Sequence, residues 1–193
     1  MGHRSGGTGI AVGNSQNVAL RSNAVGNVET AVSLSETSDA ELTDNGIWEV
    51  TTGISVVDSQ TVTIKENGLE SYGTGVGVSA ASNPDLTITE NALDGKDDED
   101  STDSTGISLD GAGFAGTDPG DDANIYLNVI QNNTAWGVVI GSNVVDAGGT
   151  RVAFNFFRND ASISPTAIEH AGGQELIARQ NYFGADNGPS GSI

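Results

Sequence analysis

The residues best suited to chemistry are three carboxylates in the middle of the chain, Asp110, Asp121 and Asp122, followed later by Arg151. A glycoside hydrolase needs two carboxyl groups, one acting as an acid and the other as a base or nucleophile. A polysaccharide lyase instead needs an acidic cluster that holds Ca²⁺ and a basic side chain that abstracts a proton, a role open to Arg151. These four residues are the candidate catalytic residues, and their spacing does not choose between the two reactions.

A second group of residues could bind a sugar without cleaving it. Trp136 directly precedes an apolar strand, and an exposed indole there could stack on a sugar ring. The alternative is that Trp136 covers the wall of the fold beneath a loop. Three further aromatic residues, together with Val129, would form an exposed apolar patch of the kind that marks a partner surface. The candidate ligand-binding residues are Trp136, Ser108, Tyr126, Phe156 and Tyr182.

An acidic run at residues 97–100, with Asp103 nearby, could hold Ca²⁺, which takes roughly six to eight oxygen ligands. Its spacing matches no EF-hand loop, and runs of like charge are usually solvated, so we favour a hydrated loop. Cys is absent, and His3 and His170 are far apart in the sequence. We therefore predict no resident cofactor and no metal site, with Ca²⁺ as the alternative.

Charge is the clearest property of the composition: 26 acidic and seven basic residues produce a net charge of −19. Nucleic acids and anionic membranes both require Lys and Arg, so the composition argues against either partner. An acidic, Lys-poor chain is similar to proteins of halophilic archaea, and an ordinary acidic domain is the alternative. No stretch approaches the roughly 18 apolar residues of a membrane helix, and the first thirty residues do not resemble a secretion signal.

A repeat of about 22 residues runs through the chain and determines the expected fold. Each copy begins with a small residue followed by an aliphatic one, such as Gly53-Ile54. Each copy later contains an Asn, with an aliphatic or small residue three positions before it and an apolar residue two positions after it. The repeated asparagines are Asn23, Asn45, Asn67, Asn91, Asn128, Asn155 and Asn181.

The repeat predicts a solenoid. Segments such as Val62-Thr63-Ile64 alternate with a period of two, as in a strand that buries one face. Three such strands fit one circuit, and equivalent strands of successive circuits would stack about 4.8 Å apart. Because parallel crossovers are almost always right-handed, we predict an all-β, single-stranded, right-handed parallel β-helix. It should have about seven coils, three parallel sheets, and a ladder of hydrogen-bonded Asn side chains in one turn.

These features resemble the pectin-lyase-like β-helix superfamily, in particular its carbohydrate-binding and sugar-hydrolase repeats. The resemblance spans Gly9 to Gly191, and the segment from Asn181 to Pro189 is similar to the N-W-W-G…G-P segment of many such proteins. It implies a substrate cleft along the first sheet, beside which the long loops lie. The outward residues predicted on that sheet are mostly small or apolar and argue against catalysis: Ala11, Ser33, Ser55, Gly77, Ser108, Val139 and Glu169.

We predict one β-helix domain over residues 9–193, preceded by leader or cloning residues 1–8. The expected function is that of a module on the exterior of a halophilic cell or virion, which recognises glycans or serves as a structural stalk. The alternative is a polysaccharide lyase or glycoside hydrolase with a cleft beside the long loops of coils four to six. Neither terminus shows an amphipathic cap, which predicts end-to-end self-association or a larger parent protein.

Overall fold

The computed structural model describes residues 5–79, 85–95, 103–110, 123–141, 150–158, 166–171 and 176–184. The regular structure in these residues is β-strand, and the strand pairings are parallel. The strands form one sheet of 12 strands and one of seven. The described residues contain no helix that is long and apolar enough to cross a membrane.

Three series of stacked strands form three faces of a solenoid. The first face contains β1 (Ser5–Gly13), β4 (Val28–Ser35), the second halves of β6 (Gly46–Val57) and β8 (Gly68–Ser79), β11 (Thr105–Asp110), β14 (Trp136–Ile140) and β17 (Thr166–His170). The second face contains β2 (Gln16–Arg21), β5 (Ser38–Thr43), β7 (Gln60–Lys65), β9 (Leu86–Thr89), β12 (Ala123–Tyr126), β15 (Arg151–Ala153) and β18 (Ile177–Arg179). The third face contains β3 (Ala24–Gly26), the first halves of β6 and β8, β10 (Ala92–Asp94), β13 (Val129–Gln131), β16 (Phe156–Arg158) and β19 (Tyr182–Phe183).

The three predicted sheets are present as these three faces, and two of them are joined. β6 and β8 run without a break from the third face to the first, through bends at Glu49 and Ser71 with φ of 52° and 56°. The chain completes about six turns, slightly fewer than the seven or so coils predicted, because seven stacked strands are separated by six turns. β1 begins at Ser5, ahead of the predicted domain start at Gly9, and its Thr8 pairs with Thr30.

Alternating apolar side chains fill the interior of the solenoid. Ile54, Val76 and Ile107 of the first face are fully buried, as are Ile64 and other aliphatic residues of the second and third faces. Each such side chain stabilises the fold by about 1.5–3 kcal/mol relative to an exposed one. Burial decreases toward the ends of the stack, and the aliphatic residues of β1 and β17 are only partly buried.

The predicted Asn ladder is confirmed. From Asn23 to Asn181, Nδ2 of each ladder Asn donates a hydrogen bond to Oδ1 of the next, over 2.8–3.2 Å. The backbone N–H of each donates to the same oxygen. The residue that precedes each Asn adopts a left-handed conformation, with φ between 53° and 57°. The ladder therefore supplies hydrogen-bond partners to buried backbone groups in a turn where the strands do not pair.

Candidate functional site

A row of threonines crosses the outer face of the first sheet. Thr30, Thr52, Thr74 and Thr105 are register partners in neighbouring strands, so their side chains stack along the solenoid axis. The same row continues to Trp136, which pairs with Thr105 on one side and Thr166 on the other.

A second row of small residues runs beside the threonines, three positions further along each strand. It consists of the residues that the sequence predicted to face outward: Ala11, Ser33, Ser55, Gly77, Ser108, Val139 and Glu169. The strands that carry both rows are parallel and in register, so the two rows together form one narrow surface. We call the partly exposed hydroxyl residues of both rows, Thr30, Thr52, Thr74, Ser33, Ser55 and Ser108, the hydroxyl strip; Thr105 is buried.

Glycine at the start of these strands keeps the strip close to the next coil. A Cβ atom on Gly53 would lie 2.5 Å from the carbonyl oxygen of Gly75 and 2.5 Å from Cδ2 of Leu69. Such a contact is far shorter than van der Waals distance, so a larger residue there would push successive strands apart. The residue that follows each Thr of the row is accordingly alanine or glycine: Ala31, Gly53, Gly75 and Gly106.

Trp136 is the large side chain exposed at the C-terminal part of the hydroxyl strip. It replaces the Thr of the repeat, and 38% of its surface is accessible. An indole in this position offers an apolar face with a polar N–H at its edge. Ser108 lies in the neighbouring strand, between Gly77 and Val139 in the register. The structure therefore brings two of the predicted ligand-binding residues, Trp136 and Ser108, onto the same face in adjacent strands.

The predicted catalytic residues, unlike Trp136 and Ser108, do not share one face. Asp110 ends β11 on the first face and is exposed, and its Oδ1 lies 2.9 Å from where a Cβ on Gly141 would stand. Arg151 begins β15 on the second face. Asp121 and Asp122 lie outside the described residues, as does the acidic run at 97–100. Among the residues that are described, no group of three or more His, Cys, Asp or Glu side chains could hold a metal ion.

The remaining candidates, Tyr126, Phe156 and Tyr182, do not form one patch. Phe156 and Tyr182 are adjacent on the third face, with ring centroids 4.6 Å apart and planes inclined by 16°. Val129 pairs with Phe156 and continues the same exposed row, which we call the aromatic ridge: Val129, Phe156 and Tyr182. Tyr126 ends β12 on the second face, across the Asn turn from this ridge.

Two exposed apolar residues near the ridge were not among the predicted site residues. Leu127 and Phe154 directly precede ladder asparagines and have φ of 57° and 56°. A left-handed conformation is unusual for bulky side chains, which makes both positions exceptional. The signal was present in the repeat, because Asp44, Glu66 and Glu90 occupy this position in earlier coils. Leu and Phe there change the turn from acidic to apolar.

Ion pairs lie on or beside the second face. Nζ of Lys65 lies 3.3 Å from the Glu66 carboxylate and 3.5 Å from that of Glu90, and these acids raise the pKa of Lys65. A hydrogen bond from Arg21 lowers the pKa of Glu41. All three pairs are exposed, so each contributes little to stability. They stand apart from the hydroxyl strip and do not complete a catalytic site on it.

A family model described as "Periplasmic copper-binding protein (NosD)" matches residues 3–183. No curated protein and no solved structure gives a match. The match covers all of the described strands, from β1 to β19.

The residues present do not fit the copper site that the family description implies. Protein copper sites use Cys and Met sulfur and His imidazole. The sequence contains no Cys, and it has Met1 as its one Met and His3 and His170 as its two histidines. His170 lies in β17 with a buried Nε2 that has no hydrogen-bond partner, and no second sulfur or imidazole ligand accompanies it among the described residues. The described residues therefore do not supply the ligands that the family description implies, whereas the strand series and the matched length agree with the family. The chain belongs to the NosD family, a periplasmic family of right-handed parallel β-helix proteins within the pectin-lyase-like superfamily.

Proposed function

We propose that this chain is a non-enzymatic recognition module that binds glycans along the hydroxyl strip, in a salty medium outside the cytoplasm. The observation that carries the proposal is the exposed indole of Trp136, which stands in register with the threonine row. The periplasmic family is consistent with contact between this face and extracellular polysaccharide.

The chemistry of the strip suits a ligand that is rich in hydroxyl groups. Each Thr or Ser hydroxyl can donate one hydrogen bond and accept others, and so can each hydroxyl of a sugar. The stacked strands repeat these hydroxyls about every 4.8 Å along the axis. An elongated sugar chain could therefore lie along the strip and end with one ring stacked on Trp136. A flat surface of this kind favours weak binding to many sugar units.

The composition of the strip favours binding over cleavage. Hydrolysis needs two carboxyl groups on either side of one glycosidic bond. The second row of small residues contains no ionisable side chain between Ser33 and Val139. Asp110 is the candidate acid at the edge of the strip, whereas Arg151 lies on the second face. A hydrolase on this face would therefore need a second carboxyl group from outside the strip.

The two tryptophans provide a matched test. Trp136 and Trp48 are 38% and 39% exposed, but Trp48 lies on the third face. Titration calorimetry with neutral and acidic oligosaccharides should show that Trp136→Ala weakens binding by about tenfold, the equivalent of about 1.4 kcal/mol. Trp48→Ala should leave binding unchanged. Equal losses in both variants, or no binding by the wild-type protein, would refute the proposal.

The same samples distinguish binding from catalysis. After long incubation, the oligosaccharides should keep their length, and no new reducing or unsaturated ends should form. If such ends accumulate and Asp110→Asn abolishes them, the module is a glycoside hydrolase or polysaccharide lyase, and the recognition proposal is wrong.

A further inference from the structure

The outer side of the third face contains a groove in its N-terminal half. The residues that follow the ladder asparagines there are small, and Gly46, Gly68 and Ala92 form the floor. Trp48, Glu70, Asp94 and Gln131 form one wall, and the groove has a volume of about 440 Å³. A Cβ atom on Gly46 or Gly68 would meet no atom within 4 Å. The groove is therefore open space above the sheet, and side chains do not fill it from within the molecule.

The C-terminal half of the same face has the opposite shape. The equivalent positions after the ladder asparagines are Val129, Phe156 and Tyr182, which form the aromatic ridge. One column of the repeat therefore changes from small residues to aromatic ones along the axis: Ala24, Gly46, Gly68, Ala92, Val129, Phe156 and Tyr182. Within the ridge, the ring of Phe156 stacks on the ring of Tyr182.

A two-fold axis would bring the ridge of one copy onto the groove of another. Consider an axis along the strand direction, in the contact plane between β10 and β13. This rotation reverses the solenoid axis and keeps each column opposite itself, as an isologous contact requires. It places Ala92 opposite Val129, Gly68 opposite Phe156, and Gly46 opposite Tyr182. Each large side chain then meets glycine or alanine.

The neighbouring column is complementary under the same rotation. It begins with Gly26 and continues with Trp48, Glu70, Asp94, Gln131 and Arg158, followed by Gly184, which is next after the end of β19. The rotation places Glu70 opposite Arg158, Asp94 opposite Gln131, and Trp48 opposite Gly184. Neither Glu70 nor Arg158 forms a salt bridge within the part of the chain that is described. Shape and charge therefore favour the same arrangement.

We propose that two copies of this chain form an antiparallel dimer through the third face, with the aromatic ridge of each copy seated in the glycine groove of the other. This interaction lies on a different face from the hydroxyl strip and goes beyond glycan binding. Six of the seven stacked strands of this face make a contact about 24 Å long, which buries on the order of 1,000 Å² in total. That area is at the lower limit for a specific complex, so the dimer is weak. Because each copy carries a net charge of −19, salt strengthens it by screening repulsion.

Sedimentation equilibrium of the full chain over a range of concentrations, at about 0.1 M and about 1 M KCl, tests the proposal. The wild-type protein should reach a monomer–dimer equilibrium that shifts toward dimer at high salt. Gly68→Leu fills the groove without a clash inside one copy and should weaken the dimer by about tenfold or more. Gly77→Leu is the matched control on the first face, where a Cβ would lie 3.5 Å from Cγ2 of Thr74. It should leave dimerisation unchanged.

Charge reversal tests the pairing of Glu70 with Arg158. Glu70→Arg and Arg158→Glu should each weaken the dimer by about tenfold, because each places like charges opposite one another. The double variant should recover to within about threefold of the wild-type protein, as expected for a direct pair. A protein that stays monomeric at all concentrations overturns the proposal. So does an oligomer that ignores Gly68→Leu and charge reversal, since that result assigns association to the ends of the solenoid. Neither outcome depends on glycan binding to the other face.

Discussion

Nδ2 of Asn91 donates a hydrogen bond of 3.0 Å to Oδ1 of Asn128, although the two residues are 37 positions apart in the sequence. The other ladder neighbours are all 22 to 27 positions apart. The longer segment between Asn91 and Asn128 is thus accommodated without loss of register. The ladder determines where each coil rejoins the stack, regardless of the number of residues between consecutive ladder asparagines.

Replacing Asn91 with Ala should destabilise the protein strongly. Its Nδ2 also donates to the carbonyl oxygens of Ile64 and Thr89, and its Oδ1 accepts hydrogen bonds from Asn67. Because the site is buried, the variant leaves several backbone and amide groups without partners, at a cost of about 3 kcal/mol in unfolding free energy. Urea denaturation followed by circular dichroism measures the change. Asn124→Ala, on the outer side of β12, is the control and should change stability by less than about 0.5 kcal/mol.

Tyr72 should make stability fall at alkaline pH. Its side chain is fully buried and donates a hydrogen bond of 3.1 Å to Oδ1 of Asn133, and burial raises the pKa of Tyr72 far above its ordinary value of 10.0. The folded state therefore keeps the proton while the unfolded state releases it. The stabilisation is complete below pH 10 and declines above it, by up to about 1.4 kcal/mol per pH unit.

Denaturation at pH values from about 8 to about 11.5 checks this behaviour in three proteins. Tyr72→Phe should be less stable near neutral pH by about 1 kcal/mol, because the hydrogen bond is lost. Above pH 10 it should decline less steeply than the wild-type protein. Tyr182→Phe removes an exposed hydroxyl and should keep the wild-type slope. If Tyr72→Phe and the wild-type protein decline in parallel, the alkaline transition has another origin.

Salt should stabilise the folded chain. Folding brings 26 acidic and seven basic residues into a compact volume, and their net repulsion decreases as ions screen it. The screening length falls from about 10 Å at 0.1 M salt to about 3 Å at 1 M. The urea midpoint should therefore rise steadily with KCl. A variant with Glu29→Gln, Glu36→Gln and Asp39→Asn, three exposed positions, should show a shallower rise. An equal response in both proteins would mean that the effect is not electrostatic.

Much of the fold could be predicted from the sequence because each repeat contains local patterns that specify its strands and its turn. The alternation in Val62-Thr63-Ile64 indicates a strand with one buried face, and both aliphatic residues are buried. The recurrent Asn required a turn with unpaired backbone groups, and Asn67 and Asn91 satisfy those groups as expected. Less of the candidate site could be predicted. Trp136 and Ser108 share a face as expected, but Tyr126 and Phe156 lie on opposite sides of the ladder turn.

The sequence by itself determined the periodic features: the parallel solenoid, the buried aliphatic columns and the ladder from Asn23 to Asn181. Each depends on spacings within one repeat, which the chain carries locally. Only the tertiary structure decided which outward side chains become neighbours along the axis, since that depends on the register between coils. It placed Trp136 in the threonine row, joined Tyr72 to Asn133 across 61 positions, and set the aromatic ridge in line with Gly68. Outward residues are free of the packing that fixes the interior, so the repeat alone does not specify them.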